Sequence, residues 1–204
     1  MRQIGLMGGS FNPVHFGHLE MARAALHAGM VEQVLFLPSG NPPHKREGLA
    51  DKRDRLAMVR LALEGEQGMA LCTEEMERSG VIYTVDTLHI LRDSMPDCTF
   101  HYLIGADTLA QLHTWRRIDE VIRLCAFCVA MRPGEDDALT RSLADDWRTR
   151  GAQVAFLPAA RMDVSSTAIR ERLAAGETLA GLTSACVERY IREHGLYGTG
   201  LDEA

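Results

Sequence analysis

Two histidines three residues apart, His15 and His18, close the segment Gly8-Gly9-Ser10-Phe11-Asn12-Pro13-Val14-His15-Phe16-Gly17-His18. At positions i and i+3 around a helix start, both imidazoles fall near one side of the first turn. The exposed N–H groups and the dipole there already favour an anion, and imidazoles can donate hydrogen bonds to phosphate oxygens. Gly8 and Gly9 let the main chain approach a ligand closely. Two other readings fit the same residues: a histidine pair packed at a helix start, or a zinc site whose third ligand no spacing supplies. Three common loops are excluded. No G-x-G-x-x-G follows the preceding apolar run, no Gly-Lys-Ser/Thr closes a phosphate-binding loop, and Asn12 stands where the second glycine of G-x-S-x-G belongs.

A second segment with chemistry is Val164-Ser165-Ser166-Thr167-Ala168-Ile169-Arg170. Ser165 or Ser166 is a good N-cap, and a helix N-terminus with hydroxyls and one arginine suits a polyphosphate. Alone, it reads more readily as an ordinary capped helix. The elements that must position both segments read as an alternation. Strand-length apolar runs lie at Ile4–Met7 (ended by Gly8-Gly9), Val34–Leu37 (stopped by Pro38), Met69–Cys72, Phe100–Ile104, Cys125–Met131 and Val154–Leu157. Helical spacing runs through Phe16, Leu19, Ala22, Ala25 and Leu26, then Asp51–Leu63, Thr84–Leu91, Thr108–Leu112, Ile118–Arg123, Leu139–Trp147, Thr167–Ala174 and Cys186–His194. Strand and helix in alternation imply crossover connections, hence a mainly parallel sheet covered on both faces. In such a sheet the ligand crevice lies beyond the carboxyl ends of the strands. The segments to read for function are therefore Gly8–His18, Ser39–Arg46, Gly105–Asp107, Arg132–Asp136 and Pro158–Ser166.

The chain of 204 residues fits one domain, and its net charge of −6 argues against bulk electrostatic binding to nucleic acid or an anionic membrane. A small anionic ligand needs only a few local cations. Five cysteines form an odd set in a long chain without a signal peptide, which argues against a disulfide framework, and Cys125 and Cys128 lie in an expected strand where their thiols face opposite sides. Core packing outweighs redox or zinc chemistry for that pair. No apolar run reaches the roughly 18 residues of a membrane span, and glycines end the N-terminal run at once, so a cytoplasmic location is expected.

G-G-S-F-N-P-V-H-F-G-H-L closely resembles the signature of the nucleotidyltransferase superfamily that carries an H-x-G-H motif, and S-S-T-x-x-R resembles that family's later phosphate-binding segment. Within the superfamily the chain is most similar to the bacterial nicotinate-nucleotide adenylyltransferases, nearly throughout, to about Tyr197. Asn41-Pro42-Pro43-His44-Lys45, Tyr83-Thr84-Val85-Asp86-Thr87-Leu88, Ile104-Gly105-Ala106-Asp107 with Trp115, and His194-Gly195-Leu196-Tyr197 carry this likeness. The resemblance implies a Rossmann-like doubly wound α/β fold, one domain over 1–197 with a flexible tail at 198–204, and transfer of AMP from ATP to nicotinate mononucleotide. It further implies that ATP meets Gly8, Gly9, Ser10, Phe11, His15, His18, Gly105, Asp107, Ser165, Ser166, Thr167 and Arg170. The mononucleotide would meet Asn41, His44, Lys45, Tyr83, Thr84 and Trp115. His15, His18, Lys45 and Arg170 would stabilise the transferring charge, and Mg²⁺ would be held mainly by ATP phosphates rather than by a protein metal site. Bland readings stand beside these: a loop lysine is usually solvated, and an isolated tryptophan is usually core.

The chain departs from the family pattern twice. Asn12 stands where Asp is more common, which would weaken a polar contact in the ATP loop, and Val81-Ile82 replace Pro-Ser before Tyr-Thr. A sister transferase using nicotinamide mononucleotide or another phosphate acceptor, and a nucleotide-sensing module without chemistry, are the competing readings. A homo-oligomer is compatible with the sequence.

Overall fold

The computed structural model describes residues 1–41, 48–131, 137–158 and 164–199. Six strands form one sheet: β1 (Arg2–Gly9), β2 (Gln33–Pro38), β3 (Met69–Leu71), β4 (Cys98–Gly105), β5 (Ala126–Ala130) and β6 (Val154–Phe156). Their spatial order is β3-β2-β1-β4-β5-β6, and every pairing is parallel. The order reverses between β1 and β4, and in sheets of this kind ligands bind in the crevice beyond the strand ends at that point.

The side chains of the strands alternate between two cores. Met7, Val34, Phe36, Leu103 and Cys128 join one, and Ile4, Leu6, Phe100, Tyr102, Ile104 and Phe127 join the other. The first core is covered by α1 (Phe16–His27), α2 (Lys52–Ala62), α8 (Ser166–Ala174) and α9 (Ala185–Glu193), through residues such as Leu19, Met58, Val59, Ile169 and Val187. The second is covered by α4 (Thr84–Ser94), α5 (Ala106–Gln111), α6 (Ile118–Leu124) and α7 (Asp137–Thr149), through Leu88, Leu109, Val121 and Trp147. Central strands buried on both faces must be apolar at nearly every position, which is why they read as continuous runs.

Three details differ from the sequence reading. Gly8 and Gly9 do not end β1 but extend it, in register with Leu37 and Pro38 of β2. A single helical turn, α3 (Glu74–Glu77), is too short to show a period. Cys125 caps α6 rather than opening β5. Cys125 and Cys128 indeed enter opposite cores, and burial raises their thiols to about 12 and about 11, so neither is a thiolate at neutral pH. The expected tail boundary at 198 falls within a 3₁₀ turn, Leu196–Gly198, and the Thr199 hydroxyl donates to Leu196 O at 2.8 Å. Among the described residues no helix is long and apolar enough to cross a membrane.

Candidate active site

The loop from β1 to α1 forms the first wall of the crevice. His15 is the N-cap of α1 in extended conformation, and its backbone N–H donates to His18 Nδ1 at 3.2 Å. His18 Nδ1 is therefore the acceptor nitrogen, and the imidazole proton sits on Nε2. The two rings stack with centroids 3.7 Å apart. Gly17 makes this possible: a Cβ there would lie 3.0 Å from His15 Nδ1 and 3.4 Å from the Val164 carbonyl. No acidic residue occupies the first turn of α1 to oppose an anion. Phe11 takes a left-handed φ of 46°, which buries its ring edge-on to His18 at 4.9 Å and against Phe36 at 5.7 Å.

The carbonyls of this loop are taken up one after another by distant side chains. Arg55 Nη1 donates to Ser10 O at 2.8 Å, Arg170 Nη1 to Asn12 O at 2.8 Å, Ser166 Oγ to Pro13 O at 2.9 Å and Thr183 Oγ1 to Val14 O at 3.0 Å. The two motifs read from the sequence thus meet, the start of α8 lying directly against the histidine loop. Ser165, not Ser166, caps α8 by accepting from Ala168 N–H at 3.1 Å. Arg170 also donates to Thr167 Oγ1 at 3.3 Å, so two of its five donors position the protein.

Asn12, expected to weaken a polar contact, is buried and bonded. Its Nδ2 donates to Gly48 O at 2.8 Å, and its Oδ1 accepts from Ala50 N–H at 3.0 Å and from the Tyr197 hydroxyl at 2.7 Å. An aspartate could not make the first of these bonds. Arg55, Thr183 and the Tyr197 bond were missed by sequence reasoning. For Arg55 a signal existed, because it shares the face of α2 with Met58, Val59 and Ala62, the core spacing of that helix.

The second wall is aromatic. A Cβ on Gly8 would fall 1.9 Å from the Tyr102 hydroxyl, so β1 must carry glycine where that phenol crosses it. The hydroxyl is buried and hydrogen-bonded to the Thr84 side chain, and burial, above all, raises its pKa. Trp115 is half-buried, edge-on to Tyr102 at 5.3 Å and to Phe127 at 6.3 Å. The Arg116 guanidinium lies over the Tyr83 ring, 4.6 Å from its centroid. Tyr83 is the N-cap of α4 and makes no side-chain cap bond. Below it the Glu75 carboxylate accepts from Thr87 Oγ1 at 2.9 Å, and burial pushes its pKa up. Of the two departing residues, Val81 is exposed and Ile82 is core.

The structure therefore brings Gly8, Thr84 and Trp115 together at Tyr102, with Tyr83 adjoining, while Asn41 at the crevice edge donates to Gly80 O at 3.3 Å. Gly105 caps α5, and Asp107 is the exposed second residue of that helix. His44 and Lys45 lie outside the described residues. Among the described residues no group of three or more His, Cys, Asp or Glu could hold a metal ion. One exposed carboxylate fits an ion that arrives on phosphates and keeps its water.

Comparison with known proteins agrees with this geometry. A probable nicotinate-nucleotide adenylyltransferase of Halalkalibacterium halodurans is 42% identical over 201 residues, 98% of this chain and 93% of the relative. One from Gloeobacter violaceus is 43% identical over 197 residues, covering 96% of each chain. In fold, the chain matches Plasmodium falciparum nicotinic acid mononucleotide adenylyltransferase complexed with NaAD, with a TM-score of 0.82 at 17% identity, over 99% of this chain and 100% of that one. The chain belongs to the Cytidylyltransferase-like family, whose model matches residues 6–172, and within that family of nucleotidyltransferases to the nicotinate-nucleotide adenylyltransferases.

Proposed function

We propose that the chain transfers AMP from ATP to nicotinate mononucleotide, releasing pyrophosphate and forming deamido-NAD in NAD biosynthesis. The observation that carries this reading is the meeting of the histidine loop with the start of α8 on one side of the β1/β4 crevice, opposite the Thr84, Tyr102 and Trp115 group. A 5′-phosphate oxygen of the acceptor attacks the α-phosphorus, the new P–O bond forms, and the bond to the β-phosphate oxygen breaks. The acceptor phosphate, with a second pKa near 6, is already mostly dianionic at neutral pH, so no general base is required. Catalysis is positioning and charge stabilisation by His15, His18 through its Nε2–H, Arg170 and Lys45, together with the α1 and α8 N-termini. Asp107 would border a magnesium ion carried on the ATP phosphates, and that ion would supply neutralisation of polyphosphate charge. Gly8, Gly9, Ser10, Phe11 and Gly105 line the nucleotide side with Ser165, Ser166 and Thr167. Trp115 stacks on the pyridine ring, and Asn41, His44 and Tyr83 border the mononucleotide.

Acceptor choice follows from the N–H groups at the start of α4. A carboxylate presents only acceptors, so these donors satisfy it and add a charge-assisted gain. An amide would turn its NH₂ toward the same donors, and leaving one buried group unpaired costs about 1–3 kcal/mol. With both acceptors competing for ATP, kcat/KM for nicotinate mononucleotide should exceed that for the nicotinamide compound by at least roughly 10²-fold. Comparable consumption of the two would overturn the assignment of Thr84.

A further inference from the structure

Arg55 is 0% exposed, yet none of the groups its guanidinium bonds is a carboxylate. Nε donates to Ala50 O at 3.1 Å, Nη1 to Ser10 O at 2.8 Å and to Ser39 O at 2.7 Å, and Nη2 to Gly40 O at 3.2 Å. All four acceptors are main-chain carbonyls. Ser10 belongs to the loop after β1, Ser39 and Gly40 to the segment after β2, and Ala50 to the approach to α2. One nitrogen, Nη1, holds the first two of these stretches at once. Taking a cation out of water without an anionic partner is unfavourable by several kcal/mol, and an apolar side chain of similar volume would fill the same space without that penalty. Burial does lower its pKa, but a guanidinium stays charged.

We infer that Arg55 is a positioning residue, which sets the separation between the ATP loop after β1 and the segment after β2 so that the two substrates meet in line. The inference rests on the functional reading above, in which the first loop holds ATP and the second borders the mononucleotide. The first loop is also held by Arg170 and Ser166 at Asn12 and Pro13, and the two stretches leave a strand pairing that ends with Ser39 N–H on Gly9 O at 2.9 Å. Each substrate therefore keeps its own half-site when Arg55 is lost. What is lost is the relative placement of Ser10 and of Ser39 and Gly40 beyond that last strand bond, and a misplacement of about 1 Å is enough to slow a positioned reaction about 10²-fold.

The test compares the wild-type chain with Arg55→Lys and Arg55→Gln, which retain polar reach without the four-way fork. Folding is read by circular dichroism, binding of ATP and of the mononucleotide separately by calorimetry, and transfer by pyrophosphate release at saturating substrates. The expected result is a fall in kcat of about 10²-fold, larger for Gln than for Lys, with both dissociation constants within a few-fold of wild type. Wild-type kcat in either folded variant overturns the inference. So does a loss confined to the affinity for one substrate, and so does failure of both variants to fold, which would make Arg55 a residue of the fold only. An inactive wild-type chain would instead break the functional reading on which the inference stands.

Discussion

The two walls of the crevice are built by different physics. On the histidine-loop side, the carbonyls of Ser10, Asn12, Pro13 and Val14 are held by Arg55, Arg170, Ser166 and Thr183, and Asn12 ties the same loop to Gly48, Ala50 and Tyr197. On the acceptor side the contacts are edges and faces of rings: Trp115 on Tyr102 and Phe127, and Arg116 on Tyr83. The first wall fixes the main chain, so under the proposed function almost any change there would alter the placement of the reacting phosphates. The second wall is a surface of side chains on already secure elements, so it can change what it recognises without refolding. Two of the three departing residues follow this division, while Ile82 is part of the core. Asn12 on the first wall is bonded at both amide atoms, whereas Val81 on the second is exposed and makes room for variation.

The comparison breaks most visibly at His18. If the phosphate wall acts on charge that develops during transfer, His18→Ala should lower kcat by roughly 10²- to 10³-fold, the scale for one preorganised donor. ATP affinity should change much less, because the α1 N-terminus and His15 remain. Pyrophosphate release under saturating ATP and mononucleotide measures the first quantity, and calorimetric titration with ATP the second. A near-normal kcat would remove His18 from the transfer step.

A smaller effect is expected on the other wall. Trp115→Ala removes one ring face, and stacking of a base on an aromatic side chain contributes about 1–3 kcal/mol, so KM for the mononucleotide should rise roughly tenfold or more. KM for ATP should stay nearly constant. Equal changes in both would mean that Trp115 only packs the second core beneath it. A parallel fall in melting temperature would accompany that outcome.

How much of this was legible in the sequence follows from the same division. Strands covered on both faces and helices with one apolar stripe leave clear periodicities, so all six strands and eight of the nine described helices were anticipated, with ends displaced by only a few residues. The helix starts were legible because such positions accept few residue types: His15 is the N-cap of α1 and Ser165 that of α8. The clamps were not legible. Arg55 shares the apolar spacing of α2 with Met58, Val59 and Ala62, which marks its face as buried, but no spacing names the loop carbonyls it holds. Gly8 and Gly9 read as a strand end because glycine usually weakens strands, while here Gly8 extends one to clear the Tyr102 hydroxyl. That close approach joins residues 94 positions apart, a relation no local pattern contains.

The smallest expected effect sharpens the comparison beneath the acceptor wall. The Glu75 carboxyl is only 7% exposed, accepts one hydrogen bond from Thr87 and lies near enough for its charge to raise the Tyr102 hydroxyl further. Burial raises its pKa more than the Thr87 bond and the neighbouring Arg78 lower it. The folded chain therefore holds this proton more tightly than the unfolded chain, in which a glutamate titrates near about 4.3. Below that pH both states are protonated and the group has no effect. As pH rises past it, the unfolded state releases the proton while the folded state retains it, so stability falls until the folded carboxyl ionises as well. Glu75→Gln keeps an acceptor oxygen for Thr87 and cannot ionise. Its melting temperature should match that of wild type near pH 4, then exceed it by a margin that grows with pH and levels off, each 1 kcal/mol appearing as about 2–4 °C. Thermal unfolding of both proteins from pH 4 to 8 measures the margin. A constant difference would show that Glu75 does not titrate on folding. A wild-type chain that gained stability over the variant with rising pH would show a carboxylate stabilised in its ionised form, and such a buried anion would oppose the binding of an anionic acceptor above it.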